Sequence, residues 1–298
     1  MKAFVIGATG FVGGAIADRL RADGHTVTGL ARDQDAADRL AARGITPVQA
    51  DLGDRVDAAL AAGAEADAVV LAAQLPPAVE EEMADALTGI GKTLLLVSGT
   101  GVFLQRTGGA WSPDAFAEDD PFTPEPLAVP RVRAEQRVRA GARGIVVRPP
   151  LLWGPGDHGH VSEIYRSVAV TGAACYVGDG LNTYSHLHVD DAARLVVAAL
   201  ERGTPGALYH GVAGEVPNRW IAEAVARDLG CPTRSLSPAE AATVWGEFGA
   251  LIMGASSRAR TTGTAAALGW SPTHRDMLSM IGEPRLRALA VPITAPSS

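Results

Sequence analysis

Short apolar runs alternate with segments of helical period through the first half of the chain. "KAFVIG" (2–7), "TVTGLA" (26–31), "ITPVQA" (45–50), "DAVVLAA" (67–73), "TLLLVSG" (93–99) and "GIVVRPP" (144–150) predict six strands. Runs of this length suit strands buried on both faces, as in a parallel sheet. Residues 11–22, 33–43, 54–62, 77–89 and 128–140 predict the helices between them, with a polar, Pro-rich loop before the last. Alternating β and α units with right-handed crossovers predict an α/β protein built on a doubly wound parallel sheet of about six or seven strands. After residue 150 the rhythm shortens. Helices are expected near 160–171, 190–202, 217–229 and 238–247, and short strands near 175–177 and 207–210. The expected division is 1–155 for the sheet domain and 156–298 for a smaller α/β substrate lobe, part of which crosses back to the sheet. No internal repeat is present, and the tail "PITAPSS" (292–298) is expected to fray.

Composition narrows the function classes. Hydrophobic residues make up 47% and charged residues 20%, as in soluble globular proteins. A net charge of −7 without a basic run argues against nucleic acid as a partner. Two cysteines, Cys175 and Cys231, are too few for a disulfide framework and lack metal-ligand spacing. They suit a reducing cytoplasm, the expected location. Four glycines interrupt the N-terminal apolar run and Asp18-Arg19 follow it, so 1–20 reads as strand, loop and helix rather than a leader. No uninterrupted apolar stretch is long enough to cross a membrane. Two lysines stand against 24 arginines, so Arg is expected where relatives use Lys.

"GATGFVGG" (7–14) follows the first strand and opens the first helix. Gly7, Gly10 and Gly13 allow a tight turn, close approach to a pyrophosphate and close helix–strand packing, with free helix N–H groups facing the anion. Dinucleotide binding is the expectation. The second strand ends Ala31-Arg32, followed by Asp33. An Arg here suits the 2′-phosphate of NADP, where an acidic residue would suit the 2′-hydroxyl of NAD. NADP is therefore the expected cofactor, with NAD the alternative. Asp51-Leu52, after the third strand, stand where a carboxylate can meet the adenine amino group.

With these motifs the chain resembles the extended short-chain dehydrogenase/reductases, the NAD-dependent epimerase/dehydratase-like family. The matching segments are "GATGFVG" (7–13), "ADL" (50–52), "LAA" (71–73), "VSGTGVF" (97–103), "VVRPPLLWGPGD" (146–157), "LHVDDAA" (187–193) and "LGWSP" (268–272). The resemblance implies a Rossmann domain, a C-terminal lobe and a small-molecule substrate between them. It also implies cofactor contacts from Gly7, Thr9, Gly10, Phe11, Val12, Gly13, Arg32, Asp51, Leu52, Ala72, Ala73, Arg131 and Pro149. A homodimer is among the expected assemblies.

The match breaks at "PLAVPRVRAEQRV" (126–138). The family carries Tyr-x-x-x-Lys on this helix: the Tyr moves a proton, and the Lys holds the nicotinamide ribose and lowers the Tyr pKa. Taking Glu135 as the Glu that often follows the Lys puts Arg131 at the Lys position and Leu127 at the Tyr position. None of Tyr165, Tyr176, Tyr184 and Tyr209 has Lys four residues later, so the pair is missing at any alignment. The Ser/Thr helper position falls on Gly99, flanked by Ser98 and Thr100. Nucleotide-sugar members often place a phosphate-binding Arg where this chain has Tyr184, so a neutral, more apolar metabolite is expected.

His186 and His188 are assigned to opposite sides of a short strand, His188 as a structural residue bonding backbone. His158 and His160 are assigned to a surface loop, and Trp270 to the core. The histidine pairs lack carboxylate or cysteine co-ligands, so no metal site is expected. The proton donor is sought among Ser98, Thr100, Tyr184, His186 and water. The expected function is an NADP-dependent oxidoreductase or epimerase-like enzyme. Two alternatives stand beside it: a non-redox isomerase, lyase or cyclase using the dinucleotide structurally, and a non-catalytic NADP sensor for a protein partner.

Overall fold

A computed structural model describes residues 1–52, 56–156 and 159–291. His158, the tail from 292 and the first two residues of the helix expected at 54–62 lie outside them. In the first half the strands are β1 (Lys2–Ile6), β2 (Thr26–Ala31), β3 (Thr46–Gln49), β4 (Ala68–Leu71), β5 (Thr93–Val97) and β6 (Gly144–Arg148). The helices between them are α1 (Phe11–Ala22), α2 (Gln34–Ala42), α3 (Val56–Glu65), α4 (Pro77–Gly89) and α5 (Val129–Ala140). The second half contains β7 (Leu151–Trp153), α6 (Gly159–Thr171), β8 (Ala174–Val177), β9 (Thr183–His188), α7 (Val189–Arg202) and β10 (Leu208–His210). Then follow β11 (Gly214–Pro217), α8 (Asn218–Leu229), β12 (Thr233–Leu236), α9 (Pro238–Gly254), α10 (Thr264–Leu268) and α11 (Pro284–Leu289).

The main sheet runs β3-β2-β1-β4-β5-β6-β10, and every pairing is parallel. One face packs Val5, Val27, Val70 and Leu95 against Ile16 and Leu20 of α1, Leu40 of α2 and Leu195 of α7. The other packs Phe4, Ile6, Val69 and Leu94 against Met83 and Leu87 of α4 and Ala134 and Val138 of α5. Thus α7 and β10, though late in the chain, complete the sheet domain. The remaining lobe holds the small sheets β11-β9-β7 and β12-β8 around Trp153, Ile164, Tyr165, Ile221, Val225 and Met277. The helix expected at 238–247 extends to 254 and is broken at Gly246, whose φ is +71°.

A buried ion pair joins α5 to the end of β6. Arg148 Nε and Nη2 donate to Glu135 Oε1 and Oε2 at 2.9 and 2.5 Å. The guanidinium also lies 5.2 Å from the Phe122 ring centre. Trp270 is buried and donates to Asp191 O, as a core anchor would. Among the described residues, no helix is long and apolar enough to cross a membrane.

Candidate active site

The strand order reverses between β1 and β4, so their carboxyl ends open a crevice there. Gly7 sits at this point with φ +96°, and a Cβ on it would lie 2.8 Å from Ala72 O. The glycine loop therefore abuts the segment Ala72-Ala73 that leaves β4. A Cβ on Gly13 would lie 2.2 Å from Gly7 O, so only glycine lets α1 approach the turn this closely. Thr9 and Gly10 are exposed; Phe11 and Val12 are half-buried. Neither a side-chain cap nor a first-turn acid competes for the leading N–H groups of α1. From behind, Arg43 donates to Ala8 O at 3.1 Å and to Gly14 O at 2.8 Å. This brace had no sequence signal: Arg43 lies outside the glycine motif.

These features fit a pyrophosphate. At Gly10 the backbone is extended (φ −85°), and a Cβ would meet Gly7 O at 3.3 Å. Gly10→Val is expected to fold, with Gly7 O giving by a few tenths of an ångström, while its isopropyl group occupies the anion's space. Calorimetry should show NADPH affinity lowered about tenfold or more; wild-type affinity would remove the pyrophosphate assignment.

Further along the crevice, Arg32 is exposed and has no ion-pair partner among the described residues. Asp33 Oδ1 accepts from Ala36 N at 2.7 Å and caps α2, so its carboxylate is committed to the helix. Asp51 is exposed and Leu52 half-buried beyond β3.

At the opposite end, Arg131 on α5 points back to the sheet. Its Nη1 donates to Val97 O at 3.3 Å and lies 2.8 Å from Glu80 Oε1 on α4. Burial pushes the Glu80 carboxyl above its ordinary pKa, and the Arg131 charge opposes that rise. Leu127, four residues earlier, is 49% exposed and brings only apolar surface. Ser98 Oγ, just past β5, is buried without a hydrogen-bond partner. Thr100 is also buried: its N–H donates to Pro149 O and its Oγ1 accepts from Ser257 Oγ.

The histidines correct two expectations. His186 and His188 share a face of β9, because the edge of Trp153 on β7 meets both rings, at 6.2 and 4.6 Å between centres. Two-residue spacing along a strand requires this. His160 is not a surface residue: it lies in the first turn of α6, 2% exposed, with Nδ1 2.7 Å from Asn218 Oδ1. Tyr184 lies on the same face of β9 and packs edge-on against His160, ring centres 4.6 Å apart. Tyr184 OH, His186 Nδ1 and His160 Nε2 are all buried without partners among the described residues. Burial raises the Tyr184 phenol and lowers both imidazoles to about 4, so all three groups are neutral. His188 behaves as expected: its Nδ1 accepts from Asp190 N at 3.2 Å and caps α7. His188, Asp190 and His274 bring ligand-capable atoms within 4.8 Å of one another. One nitrogen of each ring is already bonded, His188 Nδ1 to Asp190 N and His274 Nδ1 to Asp191.

The motifs match known families as well as each other. Residues 7–151 match the NAD(P)H-binding family and residues 118–210 the NAD dependent epimerase/dehydratase family. An uncharacterised protein of Schizosaccharomyces pombe is 31% identical, across 94% of this chain and 97% of its own. The 3-diazoavenalumate denitrifying reductase of a Streptomyces species is 30% identical, across 92% and 97%. The chain belongs to the extended short-chain dehydrogenase/reductase family. A dTDP-glucose 4,6-dehydratase from Bacillus anthracis, solved in complex with NAD, shares the fold, with a TM-score of 0.75 over 95% of this chain and 96% of that one at 16% identity. This short-chain dehydrogenase/reductase is accordingly an NAD(P)-dependent enzyme of the oxidoreductase–epimerase type.

Proposed function

We propose an NADP-dependent oxidoreductase or epimerase-like enzyme that acts in the cytoplasm on a small, neutral, non-nucleotide metabolite. The observation that carries it is Tyr184. Where nucleotide-sugar members often place a phosphate-binding Arg, this chain puts a buried phenol among Leu104, Leu151, Leu251 and Ile252. A diphosphate loses a strong anion contact there and gains an apolar wall. The Streptomyces relative is named as a reductase, which supports the oxidoreductase class.

When bound, NADPH would supply a hydride from its nicotinamide. Gly7, Thr9, Gly10, Phe11, Val12 and Gly13 hold the pyrophosphate, and Arg32 the 2′-phosphate. Asp51 and Leu52 meet the adenine; Ala72, Ala73 and Pro149 line the path to the nicotinamide. Arg131 takes the Lys place at the ribose, held in position by Glu80 and Val97 O. A guanidinium stays charged at working pH, so Arg131 orients but does not relay a proton. The Tyr184 hydroxyl donates to the substrate oxygen, with Ser98, Thr100 and His186 as the other nearby donor groups.

Arg32→Ala removes a charge-assisted contact to phosphate, worth about 1.5–3 kcal/mol. NADPH should bind about tenfold or more weakly while NADH is unaffected; tighter NADH than NADPH binding by the wild type would reject the NADP assignment. Leu127 keeps a second class open, a non-redox isomerase, lyase or cyclase. Anaerobic incubation of neutral carbonyl compounds with NADPH separates the two, since only hydride transfer changes nicotinamide absorbance along with product mass.

A further inference from the structure

We infer that His160 Nε2 and Tyr184 OH form a substrate subsite that selects a neutral O–H or N–H donor and rejects anions. The inference rests on the reading of the crevice as a neutral-substrate site, and adds the group that is recognised there.

The hydrogen bonds fix which atoms donate. Asn218 Nδ2 donates to Met253 O at 2.9 Å, and a carbonyl can only accept. The other end of that amide, Oδ1, therefore faces His160 Nδ1 at 2.7 Å. An amide oxygen also only accepts, so Nδ1 carries the imidazole proton. Burial keeps the ring neutral, and Nε2 is left with a lone pair. That lone pair has no partner, and neither has the hydroxyl of the Tyr184 ring packed against it. Unpartnered buried polar atoms are rare and call for an explanation. A bound O–H or N–H group supplies one, giving its proton to Nε2 while Tyr184 donates in turn to an adjacent oxygen. A carboxylate or phosphate could accept from Tyr184 but would also face the lone pair of Nε2 and apolar side chains, with no cation among the described residues of this cluster to offset its desolvation.

Both atoms are closed to solvent, so a ligand reaches them only where the side chains covering them give way. Leu104, after β5, and Leu251 and Ile252 on α9 approach Tyr184 from separate segments and would move aside.

The probes are phenol, anisole and benzoate, titrated by NMR into the full-length protein with and without NADP. Wild type should bind phenol about tenfold more tightly than anisole, the difference of one hydrogen bond to a buried acceptor, and should not bind benzoate over the same range. His160→Asn is the decisive variant. Its amide nitrogen replaces Nδ1 as the donor to Asn218, and no atom replaces Nε2. The preference for phenol over anisole should vanish with the thermal midpoint unchanged. Its persistence in His160→Asn would overturn the subsite. If that variant does not fold, the wild-type order decides, and any order other than phenol, anisole, benzoate overturns it. Failure of NADP to bind in the same titrations rejects the cofactor reading alone, because the probes report on the subsite in its absence.

Discussion

Replacing Glu135 with Ala should destabilise the protein by about 3–5 kcal/mol, the cost of leaving one charge of a buried pair without its partner. Arg148 is 5% exposed and Glu135 1%, so water cannot replace the missing carboxylate without opening the core. The two parallel bonds of 2.9 and 2.5 Å would both be lost. Urea unfolding monitored by circular dichroism measures the change, and a loss below about 1 kcal/mol would show that the pair is effectively hydrated. Removing both charges, Glu135→Leu with Arg148→Met, should recover most of the stability, because apolar replacements of buried pairs are often neutral or stabilising. The double variant then isolates what the pair does for the site. Glu135 lies one turn beyond Arg131 on α5, so a stable double variant with weakened NADPH binding would show that the pair sets the position of Arg131.

The sheet domain was legible because its strands are continuous apolar runs separated by glycines and polar turns. β1, β2, β4 and β5 lie within the segments expected for them, and the order of the sheet follows from right-handed crossovers. β7, β11 and β12 were not seen, and β9 was expected only as a short strand around His186 and His188. Every residue of "TYSHLH" in β9 except Leu187 is polar or mixed in character, yet all six are buried. Some of their polar groups are bonded by distant segments, as Ser185 is by Glu215 and Ala259, and sequence periodicity carries no trace of such partners. The same limit applies at the site. Gly7, Gly10 and Gly13 announce themselves by spacing, because the turn and the close packing are local. Glu80 and Arg131 meet across two helices, and His160 is fixed by Asn218 and Met253. No local signal marks these contacts, and His160 was misplaced on the surface for that reason.

Changing Tyr184 to Phe should lower kcat by about 10²–10³-fold, the usual cost of removing one donor aimed at a developing oxyanion. The substitution removes one hydroxyl and almost no volume. Packing against Leu104, Leu151, Leu251 and Ile252 is kept, and so is the edge-on contact with His160. Among the described residues no group bonds that hydroxyl, so the fold loses no hydrogen bond when it goes. NADPH affinity and the thermal midpoint should therefore stay at wild-type values while turnover falls. The family tyrosine works with a neighbouring Lys that lowers its pKa. Tyr184 is in the opposite situation: burial raises its pKa and no cation offsets the shift. The phenol stays protonated throughout the working range and serves as a hydrogen-bond donor rather than as an ionised base. Rates should accordingly show no dependence on a phenol ionisation below about pH 10, the unperturbed tyrosine value. An unchanged kcat in Tyr184→Phe would clear this residue and leave Thr100 and His186 as the donors to test. His186 is buried and neutral, but its ring faces Trp153. Thr100 follows β5 and its Oγ1 is bonded to Ser257 Oγ at 3.0 Å; Thr100→Val, which preserves shape and removes the hydroxyl, would then be the variant that loses turnover.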